Sequence, residues 1–219
     1  MINLGSSLIQ GIRLGTKRVS AIYLGETPIT FNSAYTLGEY YPDAGGYIYY
    51  LNGSGGGQVA LYQNVISGSV TRQLTWGGVG GNVTGTFSSV TSGNANTIAM
   101  NVTSGSFRVW SEIQNLNSSS VIQNAGFTDW YIPSIDAYGY VYDNLASQNI
   151  AGPWDDYPGG GGTGQDRSYW SSTQASTQNA WSYQMTDGPF TSHGPSNLNR
   201  KDTNLMLRPV RTFTSGSFL

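Results

Sequence analysis

Pro133-Ser134 is the sharpest punctuation in this chain and does most to restrict its fold. A serine in that position can accept a hydrogen bond from the unpaired N–H groups that open a helix. Downstream, Ile135, Tyr138, Val141, Tyr142 and Leu145 recur at three- and four-residue spacing, the period of one helical face. The pattern predicts a helix capped by Ser134 and bounded by Pro133.

Strand-like runs lie on both sides of it. Tyr47-Ile48-Tyr49-Tyr50-Leu51 and Gln58-Val59-Ala60-Leu61-Tyr62 read as two strands joined by the Gly-rich segment Asn52-Gly53-Ser54-Gly55-Gly56-Gly57. Strands are expected again at 168–172, 180–185 and 205–211. Residues 77–93 are rich in Gly, Ser and Thr, carry no charge, and read as an exposed loop. A second helix is expected from about Thr97 to Gln114, although Gly105 and β-branched residues oppose it. Trp154 to Gly164 is a long loop with Pro158, the acidic pair Asp155-Asp156 and consecutive glycines from Gly159 to Gly162. Strands, two helices, a long loop and closing strands make an α+β domain.

Charge is scarce. Only 10% of the residues are charged, against roughly 25% in an average soluble protein, so Ser, Thr, Asn and Gln must keep the surface wet. A net charge of -2 and only two lysines, Lys17 and Lys201, leave no basic footprint, and nucleic acid is not an expected partner. With no cysteine, neither disulfides nor thiolate metal sites can staple the fold. The start Met1-Ile2-Asn3-Leu4-Gly5 lacks the basic, then apolar, pattern of a secretory signal. No stretch approaches the roughly 18 apolar residues of a membrane span. Synthesis in a host cytoplasm without a signal peptide, and no membrane insertion, are the expectations.

The first thirty residues repeat. Leu4-Gly5, Leu14-Gly15 and Leu24-Gly25 are spaced by ten, and Ile9, Val19 and Ile29 each follow five places after the leucine. Three short strands joined by Gly-containing turns fit this pattern. So small a sheet cannot bury a core alone, so it should pack against copies of itself, the following domain or a larger assembly. Ile22-Tyr23-Leu24-Gly25 resembles the Tyr-Leu-Gly units of N-terminal segments in bacteriophage virion proteins, which implies a particle-anchoring role.

A second resemblance covers residues 44–213. Gly45-Gly46-Tyr47-Ile48, Gly126-Phe127-Thr128-Asp129-Trp130-Tyr131-Ile132-Pro133-Ser134, Tyr169-Trp170-Ser171-Ser172-Thr173, Ala180-Trp181 and Arg208-Pro209-Val210-Arg211 occur in that order. Together they resemble the C-terminal domain family of bacterial collagen-like adhesins, related to the C-type-lectin-like and formylglycine-generating-enzyme folds. The resemblance implies a C-type-lectin-like core, a strand-loop surface used in adhesion and trimeric presentation. The chain departs from that family just after the Pro-Ser helix start, where Ile135-Asp136-Ala137-Tyr138 replaces the usual acidic and leucine residues. The formylglycine-generating relatives depend on cysteine, which is missing here.

Catalytic parts are sparse. His193, the one histidine, lies in the turn-like Thr191-Ser192-His193-Gly194-Pro195 with no cysteine or second histidine to complete a zinc site or a triad. Nothing in the spacing of Asp155, Asp156, Asp166, Asp187 and Asp202 singles out the carboxylate pair a glycosidase needs. The calcium-binding strings of C-type lectins do not occur. Asp155-Asp156 with loop carbonyls is a candidate for a hard cation such as Ca2+, yet falls short of the six to eight oxygens calcium takes, and a solvated acidic loop is the simpler reading. No cofactor is expected.

Trp130, Trp170 and Trp181 lie within the shared motifs and are expected as core anchors. Trp154 and Tyr157, set among Pro, Asp and Gly, are expected as exposed stacking platforms. Arg208 and Arg211 alternate on a terminal strand and should make structural ion pairs with Asp129 or Asp136.

These readings converge on a non-enzymatic bacteriophage virion adhesion protein of the tail or fibre. Residues 1–32 are the β-repeat attachment and oligomerisation module, and 33–219 the C-type-lectin-like domain. Loops 152–167 and 186–202 would bind a host-surface glycan or protein through Trp154, Asp155, Asp156, Tyr157, Arg167, His193, Asn197, Asn199 and Arg200. Other virion subunits and further copies of the chain, as a trimer, are the expected assembly partners. A structural capsid-decoration or tail protein that cements neighbours is the main alternative, and a glycan hydrolase a lesser one.

Overall fold

Ser134 caps the helix foreseen for it: its hydroxyl accepts from the Ala137 amide at 3.3 Å, and α3 runs Ile135–Asn144. The computed structural model describes residues 12–14, 17–19, 21–24, 27–30, 35–64, 73–103, 106–118, 125–152, 154, 168–185 and 193–214. Ile135, Ala137, Tyr138 and Val141 form the buried face of α3, which packs against strands from two sheets.

The repeat segment forms four strands rather than three. β1 (Ile12–Leu14) pairs antiparallel with β2 (Lys17–Val19), and β3 (Ala21–Leu24) with β4 (Thr27–Thr30), as separate two-stranded sheets. Leu14 faces Lys17 and Leu24 faces Thr27. Each interval between paired ends therefore begins with a repeat glycine, which is why the decapeptide period is also the hairpin period.

The central sheet is antiparallel, in the order β13-β7-β6-β5. It contains β5 (Tyr40–Tyr41), β6 (Gly46–Leu51), β7 (Gly57–Ala60) and β13 (Val210–Phe213). β6 and β7 are the two strands expected around the Gly-rich segment. Asn52 organises their connection by accepting from the Ser54 and Gly56 amides at 2.8 and 3.0 Å. Ile48, Val59 and Phe213 join one core cluster with Trp76, Trp130 and Trp170. Tyr49, Ala60 and Val210 join another with Tyr131, Tyr138, Tyr169 and Trp154.

Two smaller sheets complete the strands. β9 (Ser168–Gln174), β10 (Ala180–Gln184) and β11 (Gly194–Ser196) make one, and β8 (Leu74–Thr75) pairs with β12 (Asn204–Leu205) in the other. The expected strand 205–211 is thus broken. Its middle leaves the ladders: the Met206 amide donates to Ser168 O at 3.0 Å, and Pro209, which lacks an N–H, uses its carbonyl to accept from Leu61.

The expected helix Thr97–Gln114 is two helices, α1 (Gly93–Val102) and α2 (Arg108–Ser118). Between them the ring of Phe107 enters the core beside Trp76, at 5.4 Å between centroids. Residues 77–92 contain no helix or strand, as expected, although Val83 is buried. Trp130 and Trp170 are core anchors as expected, whereas Trp181 is only partly buried. With helices and antiparallel sheets in one chain, the architecture is α+β.

Candidate functional site

Of the residues expected to contact a ligand, Asp155, Asp156, Tyr157 and Arg167 lie outside the described residues, as do 186–192 of the second loop. Trp154 is described and is not an exposed platform. It is 2% exposed, its indole N–H donates to Ile150 O at 2.7 Å, and the Arg208 guanidinium lies 4.2 Å from its ring centre. A tryptophan that supplies both an apolar body and a satisfied N–H gains more from the core than from a loop surface.

Arg208 is also misplaced by the sequence reading. It precedes β13, is 1% exposed, and donates to Asn64 Oδ1 at 2.6 Å, Leu61 O at 3.0 Å and Ala151 O at 2.8 Å. Arg211 does form the expected ion pair with Asp129.

His193 is exposed, and its ring stacks on Tyr142 of α3 at 4.0 Å and 11°. From there a row of aromatic rings runs through Tyr183, Tyr138 and Tyr169 to Trp154, with centroids 5.8 to 6.4 Å apart. Asn197 is exposed just past β11. Leu198 beside it is 79% exposed, the most open of the large apolar side chains among the described residues. Arg200 is exposed and pairs with Asp202, while Asn199 is partly buried and donates to Ser182 Oγ at 2.7 Å. The structure therefore leaves His193, Asn197 and Arg200 exposed along β11 and the segment after it, with His193 beside the Gln184 end of β10 and Arg200 bridged to Asn179 at its other end, and commits Asn199 to the fold.

A second feature was missed entirely by the sequence reading: an open cleft of about 340 Å3. One wall is α1, which presents Asn94, Thr97, Ile98 and Asn101, and the other is α2, which presents Trp110, Gln114 and Asn117. Residues 128–131 and Thr212 close it. These positions recur at three- and four-residue spacing within each helix, so each set forms a single stripe. That spacing was the available signal. One helix running through both stripes would place Asn101 and Trp110 nine residues, about two and a half turns, apart and on opposite sides.

The frame of the cleft is hydrogen-bonded internally. Asn117 donates to Trp130 O at 2.9 Å and accepts from Trp130 N at 3.0 Å. Thr97 Oγ1 accepts from Ile132 N at 3.1 Å. At the first residue of α1, a Cβ on Gly93 would lie 2.7 Å from Ile132 O, so only glycine lets the helix approach this wall so closely. Tyr131 shares a 2.8 Å hydrogen bond with Thr212 Oγ1, and burial pushes its phenol up to about 12. The side-chain amides of Asn94, Asn101 and Gln114 and the Trp110 indole N–H make no hydrogen bond among the described residues.

Among the described residues no group of three or more His, Asp or Glu side chains could hold a metal ion. Lys201 is buried and, among the described residues, has no carboxylate partner. Its ammonium donates to Gly81 O and Gln174 Oε1 at 2.8 and 2.9 Å, lies 4.8 Å from the Trp76 ring centre, and is pulled down to about 8 by burial. No helix among the described residues is long and apolar enough to cross a membrane. No family model matches this chain, and no curated protein matches it either.

Proposed function

We propose that this chain is a bacteriophage virion adhesion protein of the tail or fibre, whose C-type-lectin-like domain, residues 33–219, binds a host-surface glycan or protein without catalysis. The observation that carries this reading is the exposed edge of the sheet at β11, which a histidine stacked on Tyr142 precedes and the exposed Asn197, Leu198 and Arg200 follow. Aromatic, amide and arginine groups on irregular backbone form adaptable recognition surfaces. Residues 1–32 attach the domain to the particle and to its own copies, since two-stranded sheets are marginal alone and their apolar residues call for a partner. Each site binds weakly, and several copies in a trimer raise the strength of attachment.

The cementing alternative draws on Leu198, an apolar side chain open enough to dock on a neighbouring subunit. The deciding experiment is binding of the purified chain to host envelope preparations, paired with an image of the intact particle. Binding that falls in His193→Ala/Asn197→Ala/Arg200→Ala supports adhesion. Residues 193–202 buried against other subunits would replace adhesion by cementing. A micromolar monomer that binds no host cell, polysaccharide or envelope would overturn the adhesin reading, and release of reducing sugar would overturn its non-catalytic part.

A further inference from the structure

We propose that the cleft between α1 and α2 is a binding site for a neutral saccharide, engaged without a metal ion. None of its lining residues belongs to the surface around His193, so this is a separate site from the one proposed above.

The frame of the cleft is committed and its mouth is not. Asn117, Thr97 and Arg211 use their polar groups to hold Trp130, Ile132 and Asp129, which fixes the wall facing both helices. Asn94, Asn101, Gln114 and the Trp110 indole N–H remain, each lining the opening and none bonded within the described residues. A carboxamide offers an acceptor oxygen and two donor hydrogens. A sugar hydroxyl both donates and accepts, so three such amides match a polyhydroxylated rim. Trp110 adds an aromatic body with one donor, the combination that fits a ring with apolar C–H faces and a polar edge. Ile98, 57% exposed, extends the apolar part of the wall.

Charge argues for neutrality in the ligand. Among the described residues Asp129 is the one ionised side chain lining the cleft, and both its oxygens accept from Arg211. A cation would compete with that guanidinium, and an anion would meet a carboxylate. The Asp129 side chain is still 56% exposed, so it can accept from a hydroxyl while keeping its partner. The volume of about 340 Å3 is at the small end for ligand sites, suited to a mono- or disaccharide.

The test titrates the full chain, in EDTA, with neutral oligosaccharides of glucose, galactose, mannose and N-acetylglucosamine, read by tryptophan fluorescence and saturation-transfer NMR. At least one should bind, and Asn101→Ala/Gln114→Ala should weaken it about tenfold with the near-UV spectrum unchanged. Trp110→Phe, which keeps an aromatic ring but removes the indole donor, should weaken it less. His193→Ala/Asn197→Ala/Arg200→Ala should leave it unaltered. The proposal fails if no neutral sugar binds, if the double variant binds as well as the parent, or if only anionic sugars or peptides occupy the cleft. Loss of cleft binding with envelope attachment intact would remove this site and leave the adhesin reading standing. Loss of envelope attachment with sugar affinity intact would do the reverse.

Discussion

Arg211 holds Asp129 by two parallel hydrogen bonds, Nε to Oδ1 at 2.7 Å and Nη2 to Oδ2 at 2.8 Å. Its Nη1 donates to Ala44 O at 3.0 Å, and the guanidinium lies 3.8 Å from the centre of the Phe127 ring. One side chain thus joins β13 to the wall of the cleft and to the turn before β6. Lysine has the charge without the planar fork. Arg211→Lys should therefore lower stability in urea by about 1–2 kcal/mol, and cleft ligands should bind it less tightly.

Gly93→Ala should destabilise. In an ordinary helix interior the exchange stabilises by about 1 kcal/mol, but here the new methyl would meet Ile132 O at 2.7 Å and press α1 off the 131–134 segment. A fall in thermal midpoint, where the helix scale calls for a rise, is the expected result. A rise would mean that the contact relaxes at no cost.

Trp154 separates the buried from the exposed reading by energy alone. As a core residue under Arg208 and edge-on to Tyr169 at 5.8 Å, it should cost about 3–5 kcal/mol when replaced by alanine. An exposed stacking platform would cost within about 0.5 kcal/mol. Equilibrium denaturation of Trp154→Ala reads the difference directly.

Alkali should act in two opposed stages. Burial holds Lys201 at about 8, below its ordinary 10.5, so between those values the unfolded chain binds more protons and stability rises with pH. Burial raises the Tyr131 phenol from 10.0 to about 12, and also raises Tyr49 and Tyr138. Their contribution is complete below pH 10 and is lost as pH climbs through the folded values. Urea midpoints should rise from pH 8 toward 10 and fall steeply above it, because several raised phenols, Tyr131, Tyr49 and Tyr138 foremost, then oppose one amine. Lys201→Met should remove the rise and keep the fall.

Trp76 and Trp170 lock the same pair of segments from both sides, the first donating to Ser171 O and the second to Leu74 O, each at 2.8 Å. Replacing either by phenylalanine strands a buried carbonyl, at about 1–3 kcal/mol, besides the volume lost. The double variant should cost less than the sum of the two single changes, since both bonds hold one junction.

Local chemistry was legible in the chain before any fold was known. Ser134 after Pro133 sets a helix start because a side-chain oxygen and a missing N–H act on the nearest turn, whatever lies beyond. The strands flanking Asn52–Gly57 follow from glycine placement in the same way, and the decapeptide period marks the short strands, though not that they number four in two hairpins. The Asp129–Arg211 pair was also within reach, as one of the pairings expected between the closing-strand arginines and Asp129 or Asp136.

What escaped was everything set by packing at a distance. Trp154 looks exposed among Pro, Asp and Gly, yet Arg208 and Tyr169, both far along the chain, bury it. Arg208 looks like a strand residue, yet three oxygens from two distant segments, 61–64 and 151, draw it inward. The cleft draws on 94–101, 110–117, 128–131 and 212. Its two amide stripes share one opening because the chain breaks between Val102 and Arg108 and sends Phe107 into the core. A helix period carries phase only while the helix continues. Past that break the relative angle of α1 and α2 is a property of the core that receives Phe107, and no local pattern encodes it.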